Sequence, residues 1–192
     1  MVESRPGSLC EINVWFTNSS DEEVYSFDRF GSCISRCEPD ASGEIVAIDS
    51  DLDLAVLELR HPGTNERLNA ERLGHAPISL DYTDTPGFRE KIFVIGYPGS
   101  GGLTATTVEG IYSGLDKRWE YEYYKTDANI NHGNSGGAAF SDDGRFIGVP
   151  TAKTYGELEC DQVGECSTGD IPYGLIRPSR YAVPLLQQAM DQ

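Results

Sequence analysis

The chain has 192 residues, 39% of them hydrophobic, enough for one ordinary domain or two small ones with a real core. Its net charge of −16 excludes nucleic acid and anionic membrane surfaces as partners, because both need a basic face. No apolar run approaches the roughly 20 residues of a membrane helix, so no membrane insertion is expected.

At the N-terminus, Met1–Gly7 lacks the apolar centre of a signal peptide. Glu11–Thr17 alternates for part of its length and reads as a strand, followed by the polar turn Asn18–Glu23. Glu44–Ile48 and Leu54–Leu59 are two further strands joined by Asp49–Asp53. The region from His61 to Pro77 is expected to be loop, broken by Pro, Gly and Asn. Asp81–Gly87 has the chemistry of a linker.

Beyond it come Lys91–Gly96, then Thr104–Ser113, rich in Thr, Val, Ile and Tyr, and then Trp119–Thr126. Ala138–Phe140 and Arg145–Val149 flank Ser141-Asp142-Asp143-Gly144, a clear hairpin signal. Only Ser179–Met190 reads as helix. Short strands at regular spacing with one late helix predict an all-β protein, barrel or sandwich. The division expected is a first β-barrel over 1–80, a linker over 81–90, and a second barrel with the terminal helix over 91–192.

Five cysteines fall as two close pairs, Cys33/Cys37 and Cys160/Cys166, with Cys10 left over. Local pairs in loops predict disulfides and an oxidising compartment. Zinc is the rival, but neither pair has the tight Cys-x-x-Cys spacing that favours it. Asp49, Asp51 and Asp53 alternate as calcium ligands do. Counting from Asp49, however, the sixth position is Leu54 rather than Gly and the twelfth is Arg60 rather than Glu.

Asn131-His132-Gly133-Asn134-Ser135-Gly136-Gly137 sets a serine in a glycine-rich turn. Such a turn can aim the N–H groups of Gly133 and Ser135 at one spot, which is how an oxyanion hole is made. Gly-x-Ser-Gly-Gly resembles the nucleophile loop of the trypsin-like serine proteases, and the run from Thr126 to Gly137 is most similar to their HtrA/Deg-type branch. The resemblance implies a chymotrypsin-like double Greek-key β-barrel with a short C-terminal helix, in which the first barrel is incomplete. It implies a serine endopeptidase acting on a protein or peptide substrate without cofactor or metal.

Ser135 would be the nucleophile, and Asp53, in Asp53-Leu54-Ala55-Val56-Leu57, would orient the base. Turn statistics alone would make Asp53 a strand-capping acid equally well. Phe146–Ala152 is similar to the strand that pairs with substrate, so Thr151, Ala152 and Lys153 would line the groove. Pro150 departs from that strand because it cannot donate to a ladder. Asn129 would sit near the floor of the primary specificity pocket. Asn134 stands where digestive relatives have an acid, which implies no zymogen switch.

The family's histidine base has no match among His61, His75 and His132. At about 3.3 Å per residue His61 lies some 26 Å along the chain from Asp53. The expectation is therefore a fragment, or a gene start placed too late, that is inactive as it stands. A pseudoprotease that binds peptides without cutting them is the alternative. The disulfides point to a periplasmic, cell-surface or secreted setting, and nothing in the sequence fixes the oligomeric state.

Overall fold

A computed structural model describes residues 12–14, 26–27, 33–35, 39–74, 77–79, 85–98, 105–117, 120–153, 158–160, 166–168 and 173–191. Two compact units are present. One comprises Met1–Ile78, Gly102–Ala105 and Val183–Gln192, and the other Ser79–Gly101 and Thr106–Ala182.

The first unit contains β1 (Ile12–Val14), β2 (Ser26–Phe27), β3 (Cys33–Ser35), β4 (Ala41–Asp49), β5 (Leu54–Arg60) and one turn of helix, α1 (Ala70–Leu73). An antiparallel sheet runs β1-β4-β5, and β2 pairs with β3. The β4–β5 turn is fixed by its own acid. The Asp49 carboxylate accepts the N–H groups of Asp51 (3.0 Å) and Leu52 (2.9 Å), an Asx cap that brings the chain round into β5. Across the same pair Glu44 and Glu58 stand opposite each other, a repulsive arrangement. Arg60 relieves it by pairing with both, at 2.8 and 2.5 Å.

Residues 61–77 were expected to be loop, yet α1 lies within them. The Asn69 side chain accepts the Arg72 N–H at 2.9 Å, so a cap residue starts the turn without any hydrophobic period to announce it.

The second unit contains β6 (Lys91–Gly96), β7 (Thr106–Asp116), β8 (Tyr123–Thr126), β9 (Ala138–Ser141), β10 (Phe146–Lys153), β11 (Leu158–Cys160), β12 (Cys166–Thr168) and β13 (Gly174–Pro178). Six of these close into a barrel in the order β10-β13-β8-β7-β6-β9. Alternation dictates its inside: Ile92 and Val94 of β6 are buried while Lys91 and Ile95 are exposed. Ile92, Val94, Tyr112, Tyr124, Ala128, Ile130, Ala139, Ile147 and Ile176 make the core.

A 3-10 turn, Ser179–Tyr181, leads into α2 (Ala182–Met190), so the expected terminal helix is present with a tighter first turn. Pro184 falls in the first turn of α2, where its missing N–H costs nothing. Among the described residues no helix is long and apolar enough to cross a membrane.

Arg177 of β13 is only 2% exposed. Its guanidinium stacks 3.9 Å over the Tyr123 ring and donates to the Tyr123 hydroxyl at 2.5 Å. The neighbouring Arg180 donates to the Tyr124 hydroxyl (2.8 Å) and to Glu122 (2.6 Å). These contacts pin β8, β13 and the 3-10 turn together through tyrosine rings and hydroxyls, with the Arg180–Glu122 ion pair beside them.

Of the two close cysteine pairs, one is placed by the backbone register, in which β11 and β12 set Cys160 directly opposite Cys166. Cys10 and Cys37 lie outside the described residues, as does His75.

At the expected hairpin between β9 and β10, Asp143 accepts both Nε–H contacts of Arg145 (2.8 and 2.7 Å) and the Ser141 hydroxyl (2.5 Å). The Arg145 and Ser141 donors hold the Asp143 carboxyl down to about 2, against an ordinary 3.8. A depressed carboxyl stabilises the fold above its unfolded value and loses that contribution as pH falls through its folded value. Replacing Asp143 with Asn should therefore flatten the stability profile between about pH 4 and pH 2. Urea midpoints of both proteins across that window check it, and parallel profiles would refute it.

Candidate active site

The serine turn is built by residues that hold one another's backbones. Asn134 is completely buried, and its carboxamide oxygen accepts the Asn131 N–H at 2.9 Å while its own N–H donates to the Asn131 carbonyl at 3.0 Å. That reciprocal pair closes Asn131-His132-Gly133-Asn134 into a tight loop and leaves Ser135 at its exit, exposed. An aspartate here would be a buried charge, whereas the neutral amide needs no cationic partner.

The loop is seated between two strands of the barrel. On one side the Tyr97 N–H donates to the Gly133 carbonyl at 2.9 Å. On the other the Gly136 N–H donates to the Pro150 carbonyl at 2.9 Å, and the Ser135 hydroxyl donates to the Thr151 carbonyl at 3.1 Å. Pro150 thus fits its strand: it keeps an acceptor where the loop needs one and has no N–H to misplace. The β10–β13 register slips between Pro150 and Ala152, so Thr151 is a bulge residue and its carbonyl is turned out of the ladder toward the serine.

Gly133 is obligatory on two counts. Its φ is 97°, and a Cβ there would lie 2.0 Å from the Tyr97 carbonyl oxygen. Gly136 has a similar φ of 78° but open space around the missing side chain. Among the described residues neither the Gly133 N–H nor the Ser135 N–H has an acceptor. Two unspent donors beside an exposed hydroxyl are what an oxyanion site requires.

The other expected residues are placed as follows. Ala152 and Lys153 continue β10 beyond the bulge, opposite Leu175 and Gly174. Asn129 is exposed in the segment leading into the serine turn, between buried Ala128 and Ile130. Asp53 belongs to the first unit, exposed at the last position of the β4–β5 turn with φ 56°. That left-handed backbone is a turn conformation acids tolerate, so its position alone fits a cap as well as an orienting carboxylate.

His61 is committed to its own turn. Its Nδ1 accepts the N–H groups of Gly63 (3.1 Å) and Thr64 (3.3 Å). His132 is exposed on the serine turn. Carboxylate oxygens of Glu90, Asp142 and Asp143 approach within 4.8 Å of one another, a spacing that could hold a cation. Arg145 already occupies that cluster, reaching Asp143 and, at 3.1 Å, Glu90. The sequence reading did not find Tyr97, the Pro150 carbonyl or the Thr151 carbonyl as parts of the site, since all three act through the backbone.

A closed antiparallel barrel carrying an exposed serine on a glycine turn, beside two amides without an acceptor among the described residues, defines the chymotrypsin-like class of fold. The trypsin-like peptidase domain family matches residues 14–149, and the chain belongs to it, in the HtrA/Deg-type branch. The serine endoprotease DegS of Escherichia coli strain K12 is 34% identical over 155 residues, covering 77% of this chain and 37% of that protein. The periplasmic pH-dependent serine endoprotease DegQ of the same strain is 28% identical over 153 residues, covering 77% of this chain and 29% of its own length. A solved structure of the HtrA-type protease AlgW with a decapeptide superposes with a TM-score of 0.56 at 25% identity, over 83% of this chain and 44% of that one. The chain therefore spans less than half the length of these relatives.

Substituting Ala at Gly133 forces a side chain into the Tyr97 carbonyl and should cost about 2–4 kcal/mol, whereas Ala at Gly136 meets only the strained φ and should cost about 1 kcal/mol. Urea unfolding of the two variants measures the gap, and equal costs would contradict the seating of the loop on β6.

Proposed function

We propose that this chain is the core of a serine endopeptidase domain, in which Ser135 attacks a peptide carbonyl and the N–H groups of Gly133 and Ser135 hold the oxyanion. The observation that carries the reading is a pair of amides, without an acceptor among the described residues, beside an exposed hydroxyl on a turn tied to two strands. In the resting arrangement the Ser135 proton is given to the Thr151 carbonyl, which cannot act as a base. Attack requires that proton to pass to an imidazole. Asp53 is assigned to orient that imidazole, with a first barrel over residues 1–80, a linker over 81–90 and a second barrel over 91–192.

The substrate is an extended protein or peptide laid along Thr151, Ala152 and Lys153, with Asn129 at the floor of the primary pocket. A decapeptide is bound by one HtrA-type relative, which supports this class of ligand. An extracytoplasmic setting is supported by the relative described as periplasmic.

Turnover by the 192-residue chain alone is low, because His61 spends its Nδ1 on a turn and no other described histidine is tied to Ser135. The same observation favours a second reading, a pseudoprotease that holds peptides without cutting them. A fluorophosphonate probe with the intact chain and with Ser135→Ala tests both. Slow labelling confined to the intact chain is expected, since removing a triad member leaves residual catalysis of about 10³–10⁴ over water. Labelling that persists in Ser135→Ala would overturn the assignment of the nucleophile, and brisk labelling of the intact chain would overturn the statement about turnover.

A further inference from the structure

The serine turn has a second neighbour that the groove does not use. The backbone of residues 97–98 lies directly on Gly133: besides the 2.9 Å bond from the Tyr97 N–H, a Cβ on Gly133 would fall 2.0 Å from the Tyr97 oxygen and 2.9 Å from the Pro98 Cα. Thr151 therefore holds the serine from one side while Tyr97 abuts the oxyanion glycine from the other.

β6 presents its odd-numbered residues outward, and at and just past its end two large side chains are partly exposed, Ile95 at 37% and Tyr97 at 46%. Neither contributes to the barrel core. An extended peptide whose scissile carbonyl sits over Gly133 has its acyl side along residues 151–153. Its leaving side must cross Gly133, and the next residue or two, at about 3.3 Å each, arrive over residues 95–98.

Resting on the peptidase reading above, we infer that Tyr97, with Ile95 beside it, is a leaving-side specificity subsite that selects an aromatic or large aliphatic residue within two positions after the scissile bond. The chemistry is that of a half-exposed ring offering an apolar face and edge-to-face contact to an incoming side chain. A charged or glycine residue there gains nothing from the site.

The test measures binding, so it does not depend on turnover. Two peptides, Ac-Ala-Ala-Ala-Val-Phe-Phe-Ala-Ala-NH2 and the same peptide with both Phe replaced by Gly, are titrated against Ser135→Ala protein by calorimetry. The Phe peptide should bind at least fivefold more tightly. Adding Tyr97→Ala should bring the ratio below twofold, and Tyr97→Phe should preserve it. Phe88→Ala, which removes an exposed aromatic elsewhere on the unit, should leave the ratio unchanged.

A fivefold ratio that survives Tyr97→Ala, or no ratio in the parent, would overturn the subsite while leaving the groove standing. Absence of binding by either peptide would overturn both the groove and the subsite. Circular dichroism of Tyr97→Ala separates loss of the contact from loss of the fold. If that variant is unfolded, the Tyr97→Ser comparison decides by the same ratio.

Discussion

One close approach governs the site: the Gly133 backbone rests against the Tyr97 carbonyl with no room for a Cβ. Because of it the loop can lie against the end of β6 and receive the Tyr97 N–H, while its own N–H has no acceptor among the described residues. Everything the serine does follows from that seating. Asn134 can turn inward and cap Asn131, Gly136 can reach Pro150, and Ser135 is left at the surface with a hydroxyl aimed at Thr151. A side chain at residue 133 would lift the turn off the barrel and scatter the donors.

The barrel supplies the rigidity that such positioning needs. Its inward residues are few and well buried, Ile92, Val94, Tyr124, Ile130 and Ile176 among them, and the strand order closes without a free edge in the ring. The two strands that flank the loop, β6 and β10, both pair with β9, which begins immediately after the serine turn. Loop and scaffold are thus one piece of chain, and strain in the turn is borne by ladder hydrogen bonds on either side.

Much of this was legible in the sequence. Lys91–Gly96 read as a strand, a run of apolar and β-branched residues that ends on glycine, and the bounds are those found. The β9–β10 hairpin followed from Ser141-Asp142-Asp143-Gly144, although β10 runs on to Lys153, past a proline that cannot donate to the ladder. The serine turn stood out through glycines whose spacing few surface loops share. Three things stayed hidden. α1 depends on a single Asn69 cap, too short for any periodicity. β2, β3, β11 and β12 are pairings of two or three residues, where propensity carries almost no signal. The carbonyls of Tyr97, Pro150 and Thr151 act irrespective of side chain, so residue identity could not reveal them. The cysteine spacing does show in the backbone, where Cys160 and Cys166 face each other across β11 and β12.

The central claim is that the amides of Gly133 and Ser135 form an anion-binding nest around the Ser135 hydroxyl. A crystal structure of the chain bound to a peptidyl boronate tests it directly. The account predicts a boron–oxygen bond at Ser135 and a boronate oxygen about 2.7–3.1 Å from both nitrogens. A boronate bonded to Ser135 whose oxygens contact neither amide, or one attached elsewhere, would contradict it.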